Sequence, residues 1–120
     1  MKVAQQYTLF HKYSLQEPEI FEISIPNNAW ILSISGWGTP GSNVLCKVNV
    51  IVDDREQKTE QLKYYVVPHF YGHSTKIEQD LDNLIFLDTF DVDTYAYSVF
   101  QVLPEEDGVT QQQINCLIND

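Results

Sequence analysis

Two histidines followed by three acids make residues 68–82 the stretch of this chain with the clearest capacity for chemistry. His69 and His73 lie four residues apart, in a run that also contains a proline, two aromatic residues and a glycine. On a helix, that spacing would place both imidazoles on one face, where they could bind zinc. The proline and glycine oppose a helix here, and zinc usually takes three or four protein ligands. We therefore predict a turn in which the histidines stack on Phe70 and Tyr71, with no metal or other cofactor.

A second cluster of acids lies at residues 88–93. Asp91 and Asp93 would point to the same side of an extended segment, and Asp88 precedes them. Paired carboxylates can bind Mg²⁺ or Ca²⁺, or act as an acid and a base. The spacing of a calcium-binding loop is absent, however, and an acidic hairpin turn is a much commoner structure. We therefore predict a hairpin turn here, with Asp91 and Asp93 as candidates for contact with a partner.

The chain carries no recognisable set of residues for nucleophilic catalysis. It lacks the Gly-x-Ser-x-Gly elbow, and Cys46 lies among valines on a predicted strand, where a thiol is inert. The glycine-rich residues 36–42 lack the Gly-Lys-Ser/Thr ending of a phosphate-binding loop. Cys116 has no basic partner nearby in the sequence, and two thiols in a cytoplasmic chain are usually free. We therefore predict that the protein is not an enzyme and has no catalytic residues.

Aromatic side chains are the remaining candidates for recognition. Trp37 lies between two glycines, and an exposed tryptophan is a common binding hot spot, although large aromatic residues are mostly buried. We favour the interpretation that Trp37 folds back and covers the sheet. Tyr64 and Tyr65 point to opposite faces of a strand, so at least one of them should be half-exposed. A site for a small ligand, with histidine or lysine to hold an anion, could be formed by Trp37, Tyr65, Tyr71, His69, His73 and Lys63.

Composition limits the class of protein more firmly than these candidate residues do. The chain has 120 residues, 43% of them hydrophobic, which is the size and content of one globular domain. It has no apolar run of the ~20 residues needed to span a bilayer and no secretory signal, so we expect a cytoplasmic protein without membrane contact. Seventeen acids against seven bases give a net charge of −10, which repels phosphate backbones and disfavours direct binding of nucleic acid. That charge suits solubility or a basic protein partner.

Side chains alternate along most of the chain with a period of two, which is the pattern of β-strands. The clearest case is residues 43–53, where four valines and a cysteine share one face. Trp30, Leu32 and Ile34 likewise alternate with Ser33 and Ser35, which predicts that the three share one face of a strand. The predicted strands are residues 7–13, 19–25, 30–35, 43–53, 60–67, 84–90 and 94–103.

Short turns join these strands, which favours antiparallel neighbours over a parallel sheet with helical crossovers. Residues 26–28 form a polar turn, and residues 53–56 are expected to close a hairpin between two strong strands. We predict an all-β fold over residues 1–104, a mostly antiparallel β-sandwich or small barrel of about seven strands. Residues 105–120 should form an acidic linker and a short C-terminal helix or tail, since Thr110 is a fair helix N-cap.

Several short runs, taken in order, resemble a family of short phage and prophage proteins of unknown function. Members of that family open with a Lys-Tyr strand, an acidic strand ending in proline and an Ile-Leu-Ser-Val strand. They continue with a Thr-Gly-His turn, a Gly-Thr-Phe strand and a closing Val-Phe. This chain differs at Tyr71, which replaces the threonine, in a longer segment at 76–83 and in its C-terminal tail. The runs that carry the resemblance are residues 11–15, 21–26, 29–34, 71–73, 87–90 and 99–100, within 10–102.

The resemblance implies a small β-domain of phage or mobile-element origin, and it transfers no catalytic residues. Together with the charge, it leads us to expect a non-enzymatic binding or inhibitor module that counteracts a host protein, such as a defence protein, through that protein's basic surface. Two alternatives stay open. One is a protein that sequesters a small ligand or a nucleotide signal. The other is a structural virion component or homo-oligomer, since sheets of short strands tend to have exposed edges.

Overall fold

The alternating pattern produces seven β-strands, and each of the predicted strands is present. The structure, a computed structural model, describes residues 1–12, 15–38, 43–92 and 95–104. Residues 105–120, predicted as a linker and a helix or tail, lie outside the described residues. The elements are β1 (Lys2–Lys12), β2 (Glu19–Pro26), β3 (Trp30–Gly38), β4 (Val44–Asp53), β5 (Thr59–His69), a 3₁₀ turn (Leu81–Asn83), β6 (Leu84–Val92) and β7 (Tyr95–Val102).

Two antiparallel sheets form the β-sandwich that the sequence predicts. The three-stranded sheet has the order β1-β4-β3, and the four-stranded sheet has the order β2-β5-β7-β6. One core fills the space between them, because every strand with a clear alternation turns its apolar side chains to the same interior. The sandwich alternative of the prediction is therefore confirmed, and the barrel alternative is not.

Strand β4 supplies the centre of that core. Its four valines and Cys46 are all at most 2% exposed, while the residues between them lie on the outer face. Burying a valine side chain contributes roughly 1.5–3 kcal/mol, so this single strand contributes much of the stability. Burial also raises the pKa of the Cys46 thiol to about 12, which keeps it in the neutral, unreactive form.

The connections differ from the prediction at one turn. Residues 53–56 do not close a hairpin, since β4 pairs with β1 and β3 whereas β5 pairs with β2 and β7. Both hydrogen-bonding edges of β4 are already occupied by its neighbours, so the chain crosses to the other sheet after Asp53. The predicted hairpin around Asp91 is confirmed by the pairing of β6 with β7, which ends at Val92 and Tyr95. Its tip, including Asp93, lies outside the described residues.

A β-bulge in β3 overturns a second expectation. The register against β4 shifts between Ile31 and Ser33, so one extra residue enters β3 and the alternation changes phase. Ile34 faces the core, but Trp30 is 73% exposed and Leu32 is exposed as well. The predicted alternation, which would place all three side chains on one face, is therefore wrong, because alternation is preserved only across unbroken pairing.

Candidate functional site

A groove of about 1020 Å³ lies on the outer side of the four-stranded sheet, where the chain after β5 folds back over the sheet. It brings together three of the side chains selected from the sequence, Tyr65, Tyr71 and His73. Its walls come from the segment before β2, the outer faces of β2 and β5, residues 70–79 and the start of β7. We refer to it as the aromatic groove, because Phe70 and Tyr95 complete a set of four aromatic rings around it.

The floor of the aromatic groove is set by the alternation along β5. Tyr64 and Val66 face the core, which leaves Tyr65 on the outer side, paired with Ile20 of β2. The backbone N–H of Glu78 donates to the Tyr65 hydroxyl at 3.4 Å, so the segment after β5 covers this ring. The expectation that Tyr64 or Tyr65 is half-exposed is therefore wrong, since Tyr65 is only 3% exposed and Tyr64 is fully buried.

The segment that forms the wall is held by local hydrogen bonds and one glycine. The Thr75 hydroxyl donates to the Pro68 carbonyl oxygen at 2.9 Å, and the His73 N–H donates to the Phe70 carbonyl oxygen at 3.1 Å. Gly72 adopts φ +78°, a left-handed conformation that glycine accepts without strain. These contacts return the chain over the sheet and place His73 on the groove wall.

The aromatic rings of the groove differ in exposure. Phe70 packs edge-on against Tyr95 with ring centroids 5.0 Å apart, which fixes one side of the groove. Tyr71 is 98% exposed and stands at the rim. An exposed ring beside fixed rings provides a surface on which a flat or cationic group can stack.

The charges of the groove are mainly negative. Glu17 and Glu78 line it against a single lysine, Lys76, and the Lys76 ammonium lies 3.8 Å from the Glu78 carboxylate. An anionic ligand would therefore meet two carboxylates and a lysine that already has a partner. A neutral or cationic ligand is favoured instead.

His69 lies outside the aromatic groove and does not converge with His73. Its Nε2 lies 2.8 Å from the hydroxyl of Ser98, which in turn lies 3.0 Å from the hydroxyl of Thr89. The three residues come from adjacent strands of the four-stranded sheet, so no sequence spacing could have connected them. A serine bonded to a histidine resembles a catalytic pair, but the backbone N–H groups around it belong to the sheet ladder and are not free to hold an oxyanion.

Asp91 lies at an exposed position on β6, opposite Ala96 of β7, on the same outer face as His69. Strand β7 separates the two side chains, so they form no pair. Asp93 lies outside the described residues. Across the part of the chain that the structure describes, no group of three His, Cys, Asp or Glu side chains is placed to hold a metal ion.

Trp37 lies on the opposite side of the molecule from the groove. It belongs to β3 and faces outward from the three-stranded sheet, with half of its surface exposed. The Lys47 ammonium lies 5.7 Å from the centre of its ring, within the range of a cation–π contact. The interpretation of a Trp37 that folds back into a buried position is therefore wrong, and Trp37 contributes to no common site with Tyr65 or Tyr71.

Charge is distributed unevenly between the two sheets. The strands of the three-stranded sheet carry three lysines and one aspartate, a net charge of +2. The strands of the four-stranded sheet carry five acids and one lysine, a net charge of −4. Residues 70–83 add one lysine and three acids. The strands of the four-stranded sheet, together with the segment beside the aromatic groove, therefore carry more negative charge than the strands of the three-stranded sheet.

No family model, curated protein or solved structure matches this chain. Nothing similar therefore assigns a role to any of these residues. Among the described residues, no helix has the length and hydropathy needed to cross a bilayer.

Proposed function

We propose that this protein is a non-enzymatic binding module that uses the aromatic groove to hold a basic segment of a partner protein. The observation that carries the proposal is the coincidence of four aromatic rings with an excess of carboxylates in one groove. The partner is proposed to be a host protein in the cytoplasm, and the module a phage-encoded inhibitor of it. That part of the proposal rests on the sequence resemblance alone.

The chemistry of the groove suits arginine or lysine side chains. Guanidinium and ammonium groups are attracted to the faces of aromatic rings and to carboxylates, and Tyr71 and Glu17 both line the groove. Residues 70–83, which include one wall of the groove, carry three acids and one lysine. This negative charge would accelerate the encounter with a basic surface, and the attraction would weaken as salt is added.

A second candidate is a small-ligand binder, favoured by the size of the groove and by the buried ring of Tyr65 at its floor. Pockets for small molecules have similar volumes. The excess of carboxylates argues against a nucleotide and leaves a neutral or cationic compound. The ammonium group of Lys63, which the sequence suggested as a group to hold an anion, lies 3.7 Å from the Glu22 carboxylate instead.

Fluorescence anisotropy with a labelled peptide tests the proposal. The probe is an extended peptide with four arginines separated by glycine, compared with the same peptide in which glutamate replaces arginine. We expect binding of the arginine peptide alone, with an affinity that falls as salt is raised. Equal binding of both peptides, or of neither, would reject a groove for basic segments.

Matched variants separate the groove from the general charge of the chain. Glu17→Gln with Glu78→Gln should weaken binding several-fold, and Tyr71→Ala should weaken it about two- to fivefold, as expected for an exposed cation–π contact. Glu56→Gln with Glu60→Gln removes the same charge away from the groove and should have a small effect. Equal losses in the two double variants would show that only net charge matters. A thermal-shift screen of neutral and cationic metabolites tests the second candidate, since a true ligand raises the melting temperature.

A further inference from the structure

The outer face of the three-stranded sheet presents both tryptophans of the chain, and they lie on the same side. Trp30 and Trp37 are seven positions apart, and an unbroken strand would turn residues at an odd separation to opposite faces. The bulge between Ile31 and Ser33 shifts the alternation by one residue. Trp30 therefore pairs with Ile51 and Trp37 with Leu45, and both tryptophans lie on the outer face. These two partners are six positions apart on β4, which places the tryptophans ~20 Å apart along the sheet.

A row of uncharged polar side chains crosses the sheet between the two tryptophans. The Gln6 amide donates to Asn49 Oδ1 at 2.7 Å, and the Asn49 amide donates to the hydroxyls of Ser33 at 3.0 Å and Ser35 at 2.7 Å. These bonds use the serine oxygens as acceptors, so each hydroxyl proton is left to donate to another group. The bonds also fix the orientation of the row before any ligand arrives. We call the two tryptophans and this row the tryptophan face.

The tryptophan face lacks the negative charge of the rest of the molecule. Among the described residues that share it between Trp30 and Trp37, none is a carboxylate, and the cations are Lys47 and, when protonated, His11. Two cationic groups are few for binding a nucleic acid, which carries one phosphate per nucleotide, and the net charge of the chain is −10. The face therefore matches an uncharged ligand.

The arrangement also differs from that of a protein interface. Protein interfaces place their aromatic residues at the centre and surround them with a polar rim. Here the polar row is central and the aromatic rings stand at the two ends. A ligand that fits this order needs apolar faces at both ends, hydroxyls between them and a length of several repeating units.

We propose that the tryptophan face binds a linear, uncharged oligosaccharide, with Trp30 and Trp37 stacked on sugar rings at its two ends. One face of a pyranose ring exposes C–H groups that pack on an indole, and the hydroxyls at its edge pair with amide and hydroxyl side chains such as Ser33 and Asn49. This site is separate from the aromatic groove, and neither proposal depends on the other.

Titration of the full chain with neutral hexasaccharides tests the assignment directly. The probes are cellohexaose, maltohexaose and chitohexaose, followed by tryptophan emission and by calorimetry. Because Trp30 and Trp37 are the only tryptophans, every change in emission reports on this face. We expect saturable binding of at least one probe, and a weaker response to the corresponding disaccharide, which is too short to reach both rings.

Substitutions decide whether the two rings act together. Trp30→Ala and Trp37→Ala should each weaken binding about tenfold or more, and the double variant should abolish it, as measured by calorimetry. Phe86→Ala on β6 and Tyr71→Ala at the rim of the aromatic groove remove exposed rings away from the tryptophan face and should leave the affinity for the oligosaccharide unchanged. Circular dichroism establishes that each variant is folded.

Three outcomes would overturn the assignment. The first is no binding of any of the three hexasaccharides at millimolar concentration, and the second is undiminished binding by the double variant. The third is a concentration-dependent dimer in light scattering that the double variant abolishes, because the face would then be an interface between two copies. The arginine-peptide assay on the Trp30 and Trp37 variants should be unaffected, so failure here is distinguishable from failure of the aromatic groove.

Discussion

The contact between Gly36 and Phe90 provides a sharp test of how the two sheets are held together. Gly36 lies on the inner side of β3, and the ring of Phe90 from β6 occupies the space that a side chain there would need. A Cβ added at Gly36 would overlap three atoms of that ring, the farthest of them at 2.7 Å. The ring cannot easily move aside, because Phe90 is buried and stacks on Tyr97 with centroids 5.2 Å apart.

We therefore expect Gly36→Ala to destabilise the protein. Forcing an extra carbon into a packed core costs about 1–3 kcal/mol. The φ angle of Gly36 lies outside the left-handed region, so alanine also restricts the unfolded chain and offsets about 0.4–1 kcal/mol of that cost. The net loss should be roughly 0.5–2.5 kcal/mol in the free energy of unfolding.

Urea denaturation of a double-mutant cycle measures this directly. Phe90→Leu alone should destabilise by opening a cavity, whereas Gly36→Ala with Phe90→Leu should lose at least ~1 kcal/mol less than the sum of the two. Gly72→Ala serves as the control, since it costs about 1–2 kcal/mol through its positive φ and meets no atom within 4 Å. It should be additive with Phe90→Leu. A Gly36→Ala variant as stable as the parent, or additivity in the first cycle, would refute the close packing of β3 on β6.

Three further predictions follow from buried and paired groups. Among the described residues, the buried Tyr64 hydroxyl has no hydrogen-bond partner. Tyr64→Phe should therefore leave the free energy of unfolding in urea unchanged or raise it by up to ~1 kcal/mol. A large loss of stability would show that the hydroxyl does have a hydrogen-bond partner. With Cys116 replaced by serine, Cys46 should resist thiol reagents at pH 8 in the folded protein and react in urea, since its pKa is raised to about 12; rapid labelling of the folded protein would contradict the burial of β4. Hydrogen bonds from Arg55 lower the pKa of Asp53, so the stabilisation it gives is present above the unfolded value near 4 and is lost as the pH falls. Asp53→Asn should therefore flatten the acid side of the stability curve, and an unchanged curve would show that the pair contributes nothing.

Local alternation was enough to predict which segments form strands, because each strand must turn one row of side chains to the core. The valines of β4 are the clearest example, and their burial also determined the state of Cys46. The alternation did not predict which strands pair with each other. The turn at residues 53–56 is short and polar like a hairpin, yet it crosses between sheets, since pairing depends on which edges are already occupied.

The candidate sites show which contacts could be predicted from the sequence and which could not. The sequence grouped Tyr65, Tyr71 and His73 with Trp37, His69 and Lys63, and only the first three, which lie within nine positions of each other, line the same groove. The bond from His69 to Ser98 depends on register across two strands, and no spacing signals it. Trp30 was placed in the same row as Ile34, because the bulge that shifts the alternation by one residue leaves little signal in the sequence.

The two outer faces of the sandwich can differ in chemistry, because only the inner faces of the two sheets pack against each other. Selection for a packed core fixes the inward positions of β4 and β5 and leaves the outward positions free to vary in charge. From Leu45 to Ile51, the outward positions of β4 carry no acid in a chain that is otherwise strongly acidic, and Asp53 lies beyond the position of Trp30. The tryptophan face would have no reason to lack carboxylates if solubility alone governed the surface, because added acids would favour solubility there as well. The absence of acids between Trp30 and Trp37, like the fixed polar row beside them, therefore favours a binding surface over a merely solvated one.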